Sequence, residues 1–138
     1  MDDTIHRALD RGHTIDMTTI GRHTGKARRI EIVFHNLDGR IVISGVPMRG
    51  RSRAWIHNLE ADPHLTFHLK RTVRADLPAT ARVITDPAER QRLAEWVVAN
   101  AWPNQDVETM ARFSPFIEVT LDQAATDDLT ASATLNRV

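Results

Sequence analysis

The dipeptide Asp38-Gly39, set between two runs of alternating apolar residues, limits the fold of this 138-residue chain more than any other feature. Arg28 to Leu37 places Ile30, Ile32 and Phe34 on one face, and Ile41-Val42-Ile43 begins a second run just beyond the turn. Asp-Gly at such a junction favours positive φ at both central positions, which is the geometry of a tight two-residue hairpin. A doubly wound parallel sheet needs a helix between successive strands, so the hairpin excludes it here.

The flanking segments extend the same pattern. Asp3 to Arg11 carries Ile5, Ala8 and Leu9 at helical spacing and stops at Gly12. Thr14 to Ile20 is rich in β-branched residues and predicts a strand, followed by the polar turn Gly21 to Gly25. Gly45 to Arg53 is a loop with Pro47, Gly50 and three arginines, and Ala54 to Ala61 is a short helix halted before Pro63. Leu65, Phe67 and Leu69 alternate in a strand, and Ala79 to Thr85 supplies another. Asp86, Pro87 and Glu89 form an N-terminal signature for a helix that runs to about Asn100 and buries Leu93, Trp96 and Val97. Trp102-Pro103 breaks it, residues 105–112 add a further helical turn or two, and Phe116 to Leu121 is a closing strand. The expectation is an α+β barrel or half-barrel of about six mainly antiparallel strands with three or four short helices. It forms one domain over residues 1–121, with a polar, loosely ordered tail over 122–138.

Composition removes several chemistries. The chain has no cysteine, so disulfides, thiolate metal sites and cysteine nucleophiles are excluded. No apolar run approaches the roughly 18 residues of a transmembrane helix. The acidic start Met1-Asp2-Asp3-Thr4 lacks a hydrophobic stretch, which predicts no secretory signal and a cytoplasmic protein. Net charge is zero, yet residues 20–53 hold eight cations against two acids, while residues 104–138 hold two against six. Sixteen of the eighteen cations are arginine, whose planar fork suits phosphate and carboxylate.

That basic excess gathers at Gly21-Arg22-His23-Thr24-Gly25-Lys26-Ala27-Arg28-Arg29. Two glycines permit close backbone approach, and exposed turn N–H groups can form an anion-binding nest beside Arg22, Lys26, Arg28 and Arg29. A solvated basic turn would look the same, and the spacing is not that of a Walker loop. His64 and His68 stand four apart, but alternation puts His68 on a strand, so no metal site is expected. None of Ser44, Ser52 and Ser114 sits in a nucleophile elbow. Only Phe34 lies near the arginines as a stacking platform, so nucleic acid is not an expected partner.

Two ordered motifs, Thr18-Thr19-x-Gly21-Arg22-x-Thr24-Gly25-x-x-Arg28 and Trp55-x-x-Asn58-Leu59-x-Ala61-x-Pro63, carry a resemblance that runs from about Ile15 to Leu93. The chain resembles the deazaflavin-dependent nitroreductase family, split β-barrel reductases that use coenzyme F420. The resemblance implies an FMN-binding-like split barrel with reduced F420 in a groove, passing hydride to an activated C=C, quinone or nitro acceptor. It implies Arg22 and Arg28 as phosphate-side cations, Thr24 as a hydroxyl donor, and Trp55 and Asn58 on a helix beside the groove. Lys26 and Arg29 are nearby candidates. One branch of the family carries Ser-Lys-Gly-Gly where this chain has Ser44-Gly45-Val46-Pro47, and Arg49, Arg51 and Arg53 stand in for the missing lysine charge. That branch also lines its substrate pocket with tyrosines, and this chain has none.

The expected protein is thus an F420-dependent oxidoreductase acting on a small-molecule electron acceptor. FMN or haem in the same barrel, and a non-enzymatic F420 or small-ligand binding module, are the alternatives. A proton for the reaction comes from solvent, His35 or His57, and Trp102 is expected as an aromatic wall over the ring, or else as a core residue capping its helix. A homodimer is expected by analogy with other split barrels.

Overall fold

Residues 3–47 and 53–122 are described in the computed structural model of the chain. Strands β1 (His13–Ile20), β2 (Ala27–Leu37), β3 (Arg40–Ser44), β4 (His64–Leu69), β5 (Ala75–Val83) and β6 (Phe116–Leu121) close into an antiparallel barrel. Their order around it is β1-β2-β3-β6-β5-β4. Helices α1 (Asp3–Arg11), α2 (Ala54–Ala61), α3 (Pro87–Asn100) and α4 (Val107–Phe113) surround it. The expected antiparallel barrel is what forms. The tail over 123–138 lies outside the described residues.

Asp38 and Gly39 sit at φ 52° and 96°, and Asn36 Oδ1 accepts a 2.7 Å hydrogen bond from the Gly39 N–H. The turn pairs Leu37 with Arg40 and carries the register out to Val33 opposite Ser44. Because β2 has 11 residues and β3 only 5, residues 27–32 run on past the end of β3. Among the described residues their only strand partner is β1, from Ile20 opposite Ala27 to Ile15 opposite Ile32. One long edge of β2 therefore carries no second strand among the described residues.

The period-2 alternation of the strands divides the apolar residues between two cores. Ile15, Met17, Phe34, Ile41, Ile43 and Phe67 fill the barrel, with the Phe34 and Phe67 rings edge-on at 5.0 Å. Ile5 and Leu9 of α1 join this core. Val42, between Ile41 and Ile43, faces outward and packs with Phe116, Leu93, Val97 and Met110 beneath α3 and α4. The Asp86 side chain caps α3, accepting from the Glu89 N–H at 2.8 Å.

β5 begins four residues before the expected start at Ala79 and ends at Val83 rather than Thr85. Pro78 argues against a strand by sequence, because it lacks an N–H for the ladder. Here β6 reaches only Ala79, so Pro78 lies where β5 pairs with β4 alone. At the other end the chain turns at once into the Asp86 cap, although the Ile84 N–H still reaches the Phe116 carbonyl at 2.9 Å.

A Cβ added at Gly39 would meet nothing within 4 Å, so substitution there is purely a conformational matter. Gly39→Ala is expected to lower stability by about 1–2 kcal/mol, the cost of forcing an L-residue into left-handed backbone. A lower urea midpoint at unchanged m-value would register it.

Candidate functional site

The overhang of β2 is one wall of a groove formed by two adjoining cavities. The first, about 400 Å³, is lined by Arg22, Thr24, Arg28, Ile30, Trp55 and Asn58. The second, about 430 Å³, is lined by Ile30, Ile32, Ser44, Arg53, Trp55 and Trp102, among others. Ile30 and Trp55 belong to both, so the cavities adjoin along this edge.

Local hydrogen bonds shape the first cavity. The Gly21 N–H donates to the Lys26 carbonyl at 2.9 Å and the Gly25 N–H to the Gly21 carbonyl at 2.8 Å, closing the turn. Thr24 Oγ1 accepts from the Lys26 N–H at 3.2 Å, so the N–H groups of His23 and Thr24 take no part in these internal bonds. Asn58, buried on α2, fixes the turn in place. Its Oδ1 accepts from both the Arg22 N–H and the Arg22 guanidinium, each at 3.1 Å. The guanidinium also reaches the Ala54 carbonyl at 3.3 Å. The two sequence motifs, 36 residues apart, thus meet at a single amide oxygen.

Of the candidates from sequence, Arg22, Thr24, Arg28, Trp55 and Asn58 converge on the first cavity. Lys26 belongs to the same turn without lining it. Arg29 alternates away from Arg28 and pairs with Asp16 at 3.0 Å on the outer barrel face. Asp16 also meets Lys70 at 2.7 Å, and the Lys70 ammonium, with Arg29 beside it, holds its carboxyl below the usual range. Among the described residues, Arg22, Lys26 and Arg28 pair with no carboxylate. Arg49 and Arg51 lie outside the described residues. Arg53 lines the second cavity and donates to the Val46 carbonyl at 2.6 Å, and burial lowers its pKa.

Ser44 faces the second cavity, a position the alternation of β3 foreshadows but no sequence motif marks. Its hydroxyl lies 2.5 Å from His35 Nε2. Next to it Gly45 is tightly packed: a Cβ would come within 3.1 Å of Pro115 and 3.2 Å of the Arg53 guanidinium, so these would have to shift. His35 is buried, with Trp96 and Trp102 edge-on at 5.8 and 5.6 Å. Burial pushes its pKa down to about 4, so the ring is neutral at pH 7 and stores no acidic proton there. His57 pairs with Glu60 at 3.1 Å and lines neither cavity. Trp102 packs under α3 and α4 and also lines the second cavity.

The depressed His35 pKa makes stability depend on acid. An unfolded imidazole binds a proton near pH 6.5 and the folded one only near 4, so stability is complete above about 6.5 and falls between these values. The total loss is roughly 3 kcal/mol, at 1.36 kcal/mol for each unit of pKa difference. Urea denaturation at pH 7 and pH 4.5 should show this decline, and His35→Gln should flatten it.

The sequence profile described as F420H(2)-dependent quinone reductase matches residues 2–121. No curated protein matches the sequence. Several solved structures share the barrel. The haem storage protein HutZ from Vibrio cholerae has a TM-score of 0.65 at 11% identity, covering 88% of this chain and 90% of that one. General Stress Protein 26 from Bacillus anthracis scores 0.60 at 14% identity, covering 87% and 88%. An F420-H2 dependent reductase, FDR-A, scores 0.53 at 21% identity, covering 76% and 92%. Identities this low speak for the fold alone, and the profile speaks for the family. Over all but its last residues the chain belongs to the F420H(2)-dependent quinone reductase family, and is thereby an oxidoreductase that works with reduced coenzyme F420.

Proposed function

We propose that the groove along the β2 overhang seats reduced F420 and that the reaction delivers its hydride to a flat, largely apolar acceptor, a quinone or cyclic enone, admitted beside Trp102. One observation carries this reading: among the described residues, arginines with no carboxylate partner stand at one end of a groove whose other end runs along a strand edge with no second strand, beside Ile30, Ile32, Trp55 and Trp102. The residues present fit such a coenzyme on both counts. The first cavity has no carboxylate in its lining, so Arg22, Arg28 and the exposed turn N–H groups can take a phosphate and an acidic tail. Backbone groups of residues 27–32 on the side away from β1 lack a strand partner and can serve the polar edge of a planar ring.

When bound, the coenzyme supplies a hydride, which with one proton takes a quinone to its hydroquinone. The chain contributes position and environment. Ile30, Ile32 and Trp55 exclude water from the ring, and Trp102 offers a large flat contact that demands no hydrogen bond from the acceptor. Ser44, oriented by neutral His35, is the hydroxyl at that wall. With His35 neutral and His57 outside the groove, solvent at the open side is the proton source.

Arg28→Ala is expected to weaken F420 binding by about 1–3 kcal/mol, the range for hydrogen bonds to charged groups, without altering the melting temperature. Arg22→Ala should lower both, because it also releases the tie to Asn58. Fluorescence titration at two salt concentrations measures this. F420 should bind more tightly than FMN and lose affinity with salt. Equal affinity for FMN would overturn the reading.

Trp102→Ala is expected to raise KM for menadione while F420 affinity holds, with a modest fall in melting temperature from lost packing on His35. A lower melting temperature with unchanged kinetics would assign Trp102 to the core alone.

A further inference from the structure

A separate cavity of about 590 Å³ opens where α1 passes into β1, beside the connection between β4 and β5. Arg11, His13, Lys70 and Arg71 line it above Phe34 and Leu69, and its lining holds no carboxylate. A cavity of about 530 Å³ adjoins it, sharing Arg11, His13 and Thr14, and is walled by His35, Trp96 and Trp102. Thr14 and Trp102 in turn line the groove cavity that contains Ser44 and Arg53. The spaces follow one another from Arg22 and Arg28, past Trp55 and Trp102, to Arg11 and Arg71.

The charges at this second end are not consumed internally. Lys70 is committed to Asp16 and Glu31. Arg71 donates from Nε to Thr14 Oγ1 at 2.8 Å and, among the described residues, pairs with no carboxylate. The Arg11 guanidinium has no hydrogen-bond or ionic partner among them. The nearest acid on the adjoining wall, Asp10, is engaged with His6 at 3.4 Å. His13, at the junction of the two cavities, is held at φ 109°, a strained conformation for a residue with a Cβ. Strain of this kind persists where the surrounding structure fixes it, and it gathers at ligand sites.

We infer that the acceptor bears a carboxylate as well as a flat conjugated ring, and that Arg11 and Arg71 hold the carboxylate while the ring lies against Trp102. The inference rests on the groove being the coenzyme site. A coenzyme whose phosphate and acidic tail lie together at Arg22 and Arg28 leaves the second arginine pair for another ligand. Arg71 lines the first of these cavities and Arg11 lines both, the second being walled by Trp96 and Trp102, and charge beside an aromatic wall suits an aryl or polyene acid.

Calorimetric titration of the full chain with 2-naphthoate and with 2-naphthamide, without coenzyme, isolates the charge. Naphthoate should bind about tenfold more tightly than the amide, as one charge-assisted pair predicts, and Arg11→Gln should remove most of that preference. Arg71→Gln should do the same, and Arg11, with no partner to lose, serves if Arg71→Gln disturbs Thr14. With reduced F420, Arg11→Gln should raise the KM of a carboxyalkyl naphthoquinone about tenfold relative to that of menadione. Equal binding of acid and amide, or a preference that survives Arg11→Gln, with menadione turnover intact, overturns the acid site alone. A naphthoate preference with no F420 binding and no turnover of either quinone overturns the coenzyme reading and the acceptor role with it.

Discussion

The pairing of Leu37 with Arg40 across Asp38-Gly39 leaves β3 no freedom in where it ends against β2. A one-residue slip would send Ile41 and Ile43 to the outer face and Val42 into the barrel, exchanging the two cores. With the register held, the extra length of β2 has to project beyond β3, and that projection becomes the wall of the groove. Trp55, Ser44 and Trp102 then gather around an edge whose position a two-residue turn has set. Site and fold share one geometric origin.

The arginines divide by partner, and the division explains their different work. Arg40 and Arg82 interlock with Glu89 and Glu118 at 2.7–3.2 Å, linking β3, β5 and β6 to the start of α3. Arg90 is half-buried and spends its donors on the carbonyls of Ile84 and Ala111, both at 2.9 Å, and of Ser114 at 2.5 Å. It thereby clamps α3 and α4 onto β6, the assembly that presents Trp102. Arg22, Arg28, Arg11 and Arg71 line cavities and, among the described residues, meet no acid, Arg22 and Arg71 donating to neutral oxygens of Asn58, Ala54 and Thr14 instead. A neutral chain can thus carry two basic cavities, because the acids that balance it line neither of them.

Much of this was legible in the residues. The hairpin, α1, α2, the capped α3 and β6 follow from alternation, spacing and turn chemistry, with ends within a residue or two. The first cavity was legible through its two motifs, although nothing in either motif says that Asn58 receives Arg22. Arg29 shows an unused signal: it shares a face with Glu31, not with Arg28 and Ile30, and strict alternation separates the two arginines. His35 could not be judged by residue type, since its neutrality comes from α3 and Trp102 closing over it some 60 residues later. The Arg11–Arg71 cavity was invisible for the same reason. It joins the end of a helix to a distant strand connection that only barrel closure brings near.

An open strand edge does not discriminate among the extended backbones that might pair with it. Residues 27–32 make the longest run of strand with a partner on one side only among the described residues, which is the usual starting point for edge-to-edge self-association. Arg28, Arg29 and Glu31 set charges along it, and such charges oppose a second copy docking in register. A ligand lying along the same edge blocks it physically. With the coenzyme seated there as proposed, filling the groove and keeping copies of the chain from pairing along β2 would be one property.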